Sequence, residues 1–415
     1  MAGPPVTPAG AAAPEGTSPR GALSHLTVLD IGHHVAGPYC AKLLAGFGAR
    51  VIKVERPGTG DPMRAVGPFH GDAPGRETSI PFLWLNTGKE GVTLNLKHDE
   101  GRRLFRELVQ RADVVVENFS PRVMPGLGLD FEALRARHPR LIMTSISNFG
   151  QSGPWRDHAA AEITEYALGG SMAVTGDPDR PPLAAGPRVT QYTAALSAYV
   201  ATLMAVFQRG ASGRGQHVDV SIQESALDAI EINLVEYLHE GKVATRTGDE
   251  HPLVPWKLYP CADGYAAVIG GPVRRWLRAA PLFEEPRLLE PRYAHMRDRL
   301  RHRAEVDALL TPWLKRQTRR DVYHAGQSRG LAFGYVATLA EVMASPQHAA
   351  RGYFEPTDHP EVGRHAYCGA LFRPARTPWR PGRAPLLGEH TAAVYREVLG
   401  LGPEDLARLA REGVV

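Results

Sequence analysis

Short apolar runs alternate with amphipathic stretches through the first half of the chain. Val28 to Ile31 and Val51 to Val54 read as buried strands, joined by a turn through Ala36-Gly37-Pro38 and a short amphipathic helix. The same alternation continues downstream. Val92 to Leu96 predicts a strand, and Asp99 to Ala112 a helix whose apolar face is Leu104, Phe105, Leu108 and Val109. Val114 to Val116, Leu141 to Ile146 and His217 to Ile222 predict further strands, with helices at Phe131 to Arg137 and, rich in alanine, Thr193 to Phe207. Strands alternating with helices imply a parallel sheet covered on both faces. Near residue 225 the pattern changes. A helix over Glu224 to His239 leads to a compact α+β stretch, with arginine-rich helical signals between Glu290 and Arg320.

At 415 residues the chain exceeds one ordinary core, so two domains are expected. The charge is +4, and arginines outnumber lysines 41 to 7, yet the basic residues are scattered and meet acids, as Arg102-Arg103 do beside Asp99-Glu100. That distribution speaks against nucleic acid. Cys40, Cys261 and Cys368 stand far apart, which gives neither a disulfide framework nor a zinc site, and no metal is expected. No run of about eighteen apolar residues is evident, so no membrane span is expected. Residues 1–22, rich in Pro, Ala and Gly, lack the apolar core of a signal peptide and read as a disordered extension of a cytoplasmic protein.

The strand–helix–strand unit at the start lacks a GxGxxG turn, so it binds nucleotide in some other way or binds none. More specific is the order of motifs: Ala36-Gly37-Pro38, then Gly48-Ala-Arg-Val-Ile-Lys-Val-Glu55, then Asn86-Thr-Gly-Lys89, then Ala112-Asp-Val-Val-Val-Glu-Asn-Phe119. Ser145-Ile-Ser-Asn-Phe-Gly-Gln-Ser-Gly-Pro154, Thr175-Gly176, Gly213-Arg-Gly-Gln-His-Val-Asp-Val220, Leu387-Gly-Glu-His390 and Arg411-Glu-Gly-Val-Val415 follow. In this order, almost end to end, the chain resembles the family III CoA-transferases, relatives of the α-methylacyl-CoA racemases. The resemblance implies an α/β fold with a Rossmann-like, parallel-sheet large domain (23–224, with 346–415 returning to it). It also implies a smaller inserted α+β domain (225–345) and an interlocked dimer. The expected ligands are acyl-CoA and carboxylate substrates; the expected assembly is a homodimer or a heterodimer with a paralogue.

Coenzyme A needs a flat surface for adenine and cations for its phosphates. Arg56 directly follows the second strand, Lys97 is expected to end the third, and Asn118-Phe119 end the fourth, all on one edge of the sheet. The resemblance places CoA at these positions and at His34, Val35, Ala36 and Leu94. By residue type alone, an arginine after a strand such as Arg56 is usually a solvated surface residue, and Phe119 reads equally as core. Where relatives carry a basic residue before the Leu127-Gly128 pair, this chain has Gly126. Arg122 would share its helical face, though Pro125 opposes a regular helix and a plain surface arginine competes.

Family III enzymes use an aspartate carboxylate. It attacks the thioester to give an anhydride, and CoA thiolate converts that to an enzyme thioester, which an acceptor carboxylate then enters by the reverse steps. Anchoring on Thr175-Gly176 and Pro181 to Gly186, the expected position holds Gln191, and no aspartate occurs between Arg180 and Ala211. An amide orients or polarises but forms no such anhydride. Glu162 and Glu165 are the nearest carboxylates. The resemblance favours Glu162, against a structural role at a helix start. Racemase chemistry needs a histidine directly before Glu162, where Ala161 stands, and His158 is out of register. Three readings remain: a transferase with an unusual carboxylate or a partner's aspartate, a non-catalytic CoA-binding subunit, and another acyl-CoA reaction such as hydrolysis or lyase chemistry.

Overall fold

The computed structural model describes residues 21–415 apart from 187, 250, 252 and 381, so most of the predicted N-terminal extension lies outside the described residues. The chain divides into two compact units. The first runs to Glu165, resumes through Ala226 and takes in Gly352–Val415; the second comprises Tyr166–Gly186 and Leu227–Arg351. Tyr166–Gly186 is thus grouped with the second unit, whereas the sequence reading leaves it in the large domain.

Six parallel strands form the sheet of the first unit: β1 (Thr27–Asp30), β2 (Arg50–Glu55), β3 (Glu90–Thr93), β4 (Val114–Glu117), β5 (Ile142–Ser147) and β6 (His217–Ser221). Their order is β3-β2-β1-β4-β5-β6, with Val28 opposite both Val51 and Val114. The connections reverse direction between β1 and β4, which opens a crevice beyond the carboxyl ends of those strands. Period-two alternation serves two cores. Val28, Val51, Val114, Val116 and Ile142 pack against helices α1 (Ala36–Gly46) and α4 (Val189–Ser212). Leu29, Ile52, Val54, Val92, Val115 and Met143 pack on the opposite side with Leu104, Phe105 and Leu108 of α2 (Asp99–Val109). Burial on both faces accounts for strands that read as continuous apolar runs.

The predicted third strand is shorter than expected. β3 ends at Thr93, because the Asn95 side chain accepts from the Lys97 N–H at 3.1 Å and turns the chain, so Lys97 sits in a loop. Helix α4 is longer than predicted, at 24 residues. By length and composition alone it is apolar enough to cross a membrane, which amends the expectation that no such segment exists. Ala194, Ala195, Ala198, Thr202 and Ala205 are buried, so one face belongs to the core of this unit. The predicted helix over 224–239 is broken into Ile222–Leu227 and Glu231–Glu240 by a single 3-10 turn.

The second unit has its own core of Tyr259, Val268, Trp276, Leu310, Trp313 and Phe333 around a three-stranded antiparallel sheet: β7 (Trp256–Cys261), β8 (Gly264–Ile269) and β9 (Gly334–Tyr335). Arg299, fully buried, donates to the carbonyls of Val254, Tyr293, Ala294 and Gly271.

Candidate functional site

At the crevice, three consecutive amides are held by side chains. The Gly32 N–H donates to Asp30 Oδ1 at 2.9 Å, that of His33 to Asn118 Oδ1 at 2.7 Å, and that of His34 to Asp61 Oδ1 at 3.1 Å. Asn118 returns a bond from Nδ2 to the His33 carbonyl at 2.9 Å, clasping the loop after β1 to the loop after β4. A Cβ on Gly32 would lie 2.9 Å from Asn118 Oδ1, so the clasp requires glycine there. His34 takes a left-handed backbone, φ 59°, unusual for a residue with a side chain, and is held there by Asp61. Beneath lies a buried ionic cluster. Lys53 meets Asp61 at 2.9 Å and Asp30 at 3.7 Å, and Lys89 meets Asp30 at 2.7 Å. Burial opposes the charge on Lys53, but Asp30 and Asp61 outweigh it and hold the amine above its usual range. Lys89 is less compensated, and burial brings it down to about 8.

Outward from this floor opens a cleft of about 140 Å³, lined by Ile31, His33, Val54, Arg56, Leu94, Lys97, Phe119 and Leu127, among others. Its walls are apolar. Arg56 and Lys97 are exposed, and among the described residues neither side chain has a hydrogen-bond or ion-pair partner. Phe119 meets the His33 ring edge-on at 4.9 Å. Val35 and Ala36 are buried at the start of α1. The structure therefore brings Arg56, Leu94, Lys97 and Phe119 together, while Asn118 sits behind them as a clasp. Arg122 does not line the cleft; it is exposed and pairs with Asp157 at 2.9 Å.

The second cluster is at the start of α4, against α3 (Glu162–Leu168). Glu162 Oε1 accepts from the Thr190 N–H at 2.9 Å, and its Oε2 accepts from Thr190 Oγ1 at 2.5 Å and from the Gln191 N–H at 3.3 Å. Its carboxylate thus satisfies first-turn amides that no intrahelical partner reaches, where the helix dipole favours an anion. Glu165 is fully buried. Its Oε2 accepts from Gln191 Nε2 at 2.8 Å. With the Asn148 amide assigned the orientation that satisfies both of its ends, Nδ2 donates to Glu165 Oε1 at 2.9 Å and Oδ1 accepts from the Ala160 N–H at 3.1 Å. Burial, with Glu162 nearby, pushes the Glu165 carboxyl up to about 7. Gln191 is only partly buried, so its amide joins a buried carboxyl to more open space. Asn148 had no assigned role in the sequence, although its motif, Ser145 to Pro154, was legible; nothing local marks it as the partner of a glutamate seventeen residues on. Among the described residues no group of three His, Cys, Asp or Glu side chains could hold a metal ion.

With this geometry in view, the comparisons with known proteins agree. The profile of CoA-transferase family III matches residues 23–391. Succinyl-CoA–D-citramalate CoA-transferase of Chloroflexus aurantiacus is 38% identical over 400 residues, 95% of this chain and 98% of that one. The succinyl-CoA:(R)-benzylsuccinate CoA-transferase subunit BbsE of Thauera aromatica is 33% identical over 410 residues, 95% and 99% of the two chains. Among solved structures, a CAIB/BAIF family protein from Brucella suis superposes with a TM-score of 0.83 at 32% identity, covering 91% of this chain and all of that one. The chain belongs to CoA-transferase family III.

Proposed function

We propose that the protein exchanges CoA between an acyl-CoA thioester and a free carboxylate, with the nucleotide end of CoA in the cleft at Arg56 and Lys97 and the acyl end beside Gln191. The observation that carries the placement is the pair of unpartnered cations on the rim of an apolar cleft at the sheet's carboxyl edge. Apolar walls suit an adenine face, and free guanidinium and ammonium groups suit phosphates. The exchange is a net swap: the donor's acyl carbon gives up the CoA sulfur and gains one oxygen from the acceptor's carboxylate, and the acceptor's carboxyl carbon gives up that oxygen and takes the sulfur, with no oxidation and no water consumed. The relatives named as succinyl-CoA-dependent transferases support this class of reaction. Gln191 stands at the position the family resemblance gives to the nucleophile, and the nearest carboxyl to its amide is Glu165, because Glu162 is engaged with the helix end.

A second reading is a CoA-binding subunit whose partner chain supplies the nucleophile. Two observations favour it: an amide at the expected position, and the subunit status in the name of the Thauera relative. Either way an interlocked dimer in the cytoplasm, with the second unit as the inserted smaller domain, is part of the proposal. Leu196, Val200, Met204 and Phe207 support the dimer. They form an exposed apolar stripe at helical spacing along α4, ending on Phe207 at 85% exposure, a surface that suits a protein partner. A monomer in sedimentation at micromolar concentration contradicts the dimer.

Acyl-CoA with hydroxylamine, followed by peptide mass analysis, separates the readings. A hydroxamate on the wild-type peptide carrying Glu162 and Glu165 makes the single chain catalytic. No adduct in the wild type but one at position 191 in Gln191→Asp identifies a transferase pocket lacking only its nucleophile. CoA binding with no adduct in either protein overturns the transferase assignment.

A further inference from the structure

The amide of Gln191 has two faces, and its neighbours choose between them. As an ionised carboxylate, Glu165 has only acceptors to offer, so it draws in Nε2 and turns Oε1 of Gln191 outward. As a carboxylic acid it carries a donor, and the outward-facing arrangement reverses: its O–H bonds to Gln191 Oε1 and the NH₂ group turns away from it. Thr190 Oγ1 is the one competitor at that oxygen and the weaker one: it gives its hydrogen to Glu162 at 2.5 Å and lies 3.4 Å from Glu165 Oε2, against 2.8 Å for the Gln191 amide. Asn148 faces the other Glu165 oxygen, and Glu165 is closed to solvent. Among the described residues the one other charge acting on Glu165 is Glu162, on its own helix; α4 contributes the neutral Thr190 and Gln191, and the loop after β5 the neutral Asn148.

We propose that Glu165 is a positioning residue that sets which side of the Gln191 amide meets the bound acyl group, an N–H donor when Glu165 is protonated and a carbonyl acceptor when it is ionised. This rests on the reading that the acyl group docks beside Gln191. A thioester oxygen needs a donor, so acyl-CoA is held better in the protonated state, while free CoA, having no carbonyl at that point, is indifferent. The changeover falls near pH 7, where burial has moved the Glu165 carboxyl. The proton held at Glu165 thus selects for the thioester over the released thiol.

The test is the ratio of dissociation constants for acetyl-CoA and CoA, measured by calorimetry from pH 5.5 to 8.5 on the whole protein. Taking the ratio cancels titration of the CoA phosphates, common to both ligands. In the wild type acetyl-CoA gains about five-fold on CoA between pH 8 and pH 6, roughly the worth of one hydrogen bond. Glu165→Gln, uncharged at every pH and nearly isosteric, gives a flat ratio, as does Gln191→Ala, with both proteins still binding CoA. A flat wild-type ratio, or an inflection that survives in Glu165→Gln, overturns the role of Glu165. Failure of the wild type to bind either ligand instead overturns the placement of CoA on which it rests.

Discussion

The two ends of the site are built on opposite principles. At the proposed nucleotide end the cations Arg56 and Lys97 are exposed and, among the described residues, unpartnered over apolar walls, which leaves their charge available to a ligand. At the acyl end every polar group near Gln191 already has a partner: Glu162 caps a helix, Glu165 takes two amide donors, and Asn148 is held at both ends. A surface that waits for charge is recognisable from residue type. A network that satisfies itself works by orientation, and mutating it changes stability and protonation before affinity.

Breaking the nucleotide end has the largest expected effect. Arg56→Ala should weaken CoA binding by about 1–2 kcal/mol, and with Lys97→Ala the pair should lose about 2–4 kcal/mol, the range for two charge-assisted contacts. Thermal stability should hardly move, since neither side chain has a partner to lose among the described residues. Unchanged affinity in the double variant, by calorimetry, removes CoA from this cleft.

At the acyl end the order reverses. Glu162→Ala leaves first-turn amides of α4 uncapped and should cost about 1–2 kcal/mol of stability in denaturant titration, with CoA affinity retained. Full stability in that variant would free Glu162 for chemistry. Smaller and pH-dependent is Glu165→Gln. A carboxyl raised in the folded state binds more protons there than when unfolded, so its favourable neutral form is complete below about 4.5 and lost as pH rises through about 7. The variant should therefore gain about 1 kcal/mol on the wild type at pH 6 relative to pH 5. A gain independent of pH would show that Glu165 titrates normally.

What was legible follows from how local each signal is. Strand and helix periodicities placed β1, β2, β4 and the buried face of α2 because core packing and local pattern agree there. They misplaced the end of the third strand, where an Asn95 side-chain turn overrides an apolar run, and Lys97 moved into a loop as a result. Arg56 and Phe119 were findable as residues just past strand ends. The division of labour between Glu162 and Glu165 was not. The two are one helical turn apart, and which faces the helix end and which meets Gln191 depends on how α3 packs against α4, a relation no single segment encodes. Asn118 was findable from its position past a strand, but that its side chain ties two loops was not, since the partner lies 85 residues away.

That tie bears on how the crevice opens. The amides of Gly32, His33 and His34 hang on Asp30, Asn118 and Asp61, one side chain each, and not on a neighbouring strand. A ladder bond belongs to a row of its kind, whereas each of these depends on one side chain, two of them held in turn by the buried amines of Lys89 and Lys53. The loop can therefore respond to a ligand apart from the sheet beneath it. Deuterium uptake at residues 32–34 should slow when CoA arrives while the amides of β1 and β4 stay silent, so the first part of the protein to feel its substrate is three residues long.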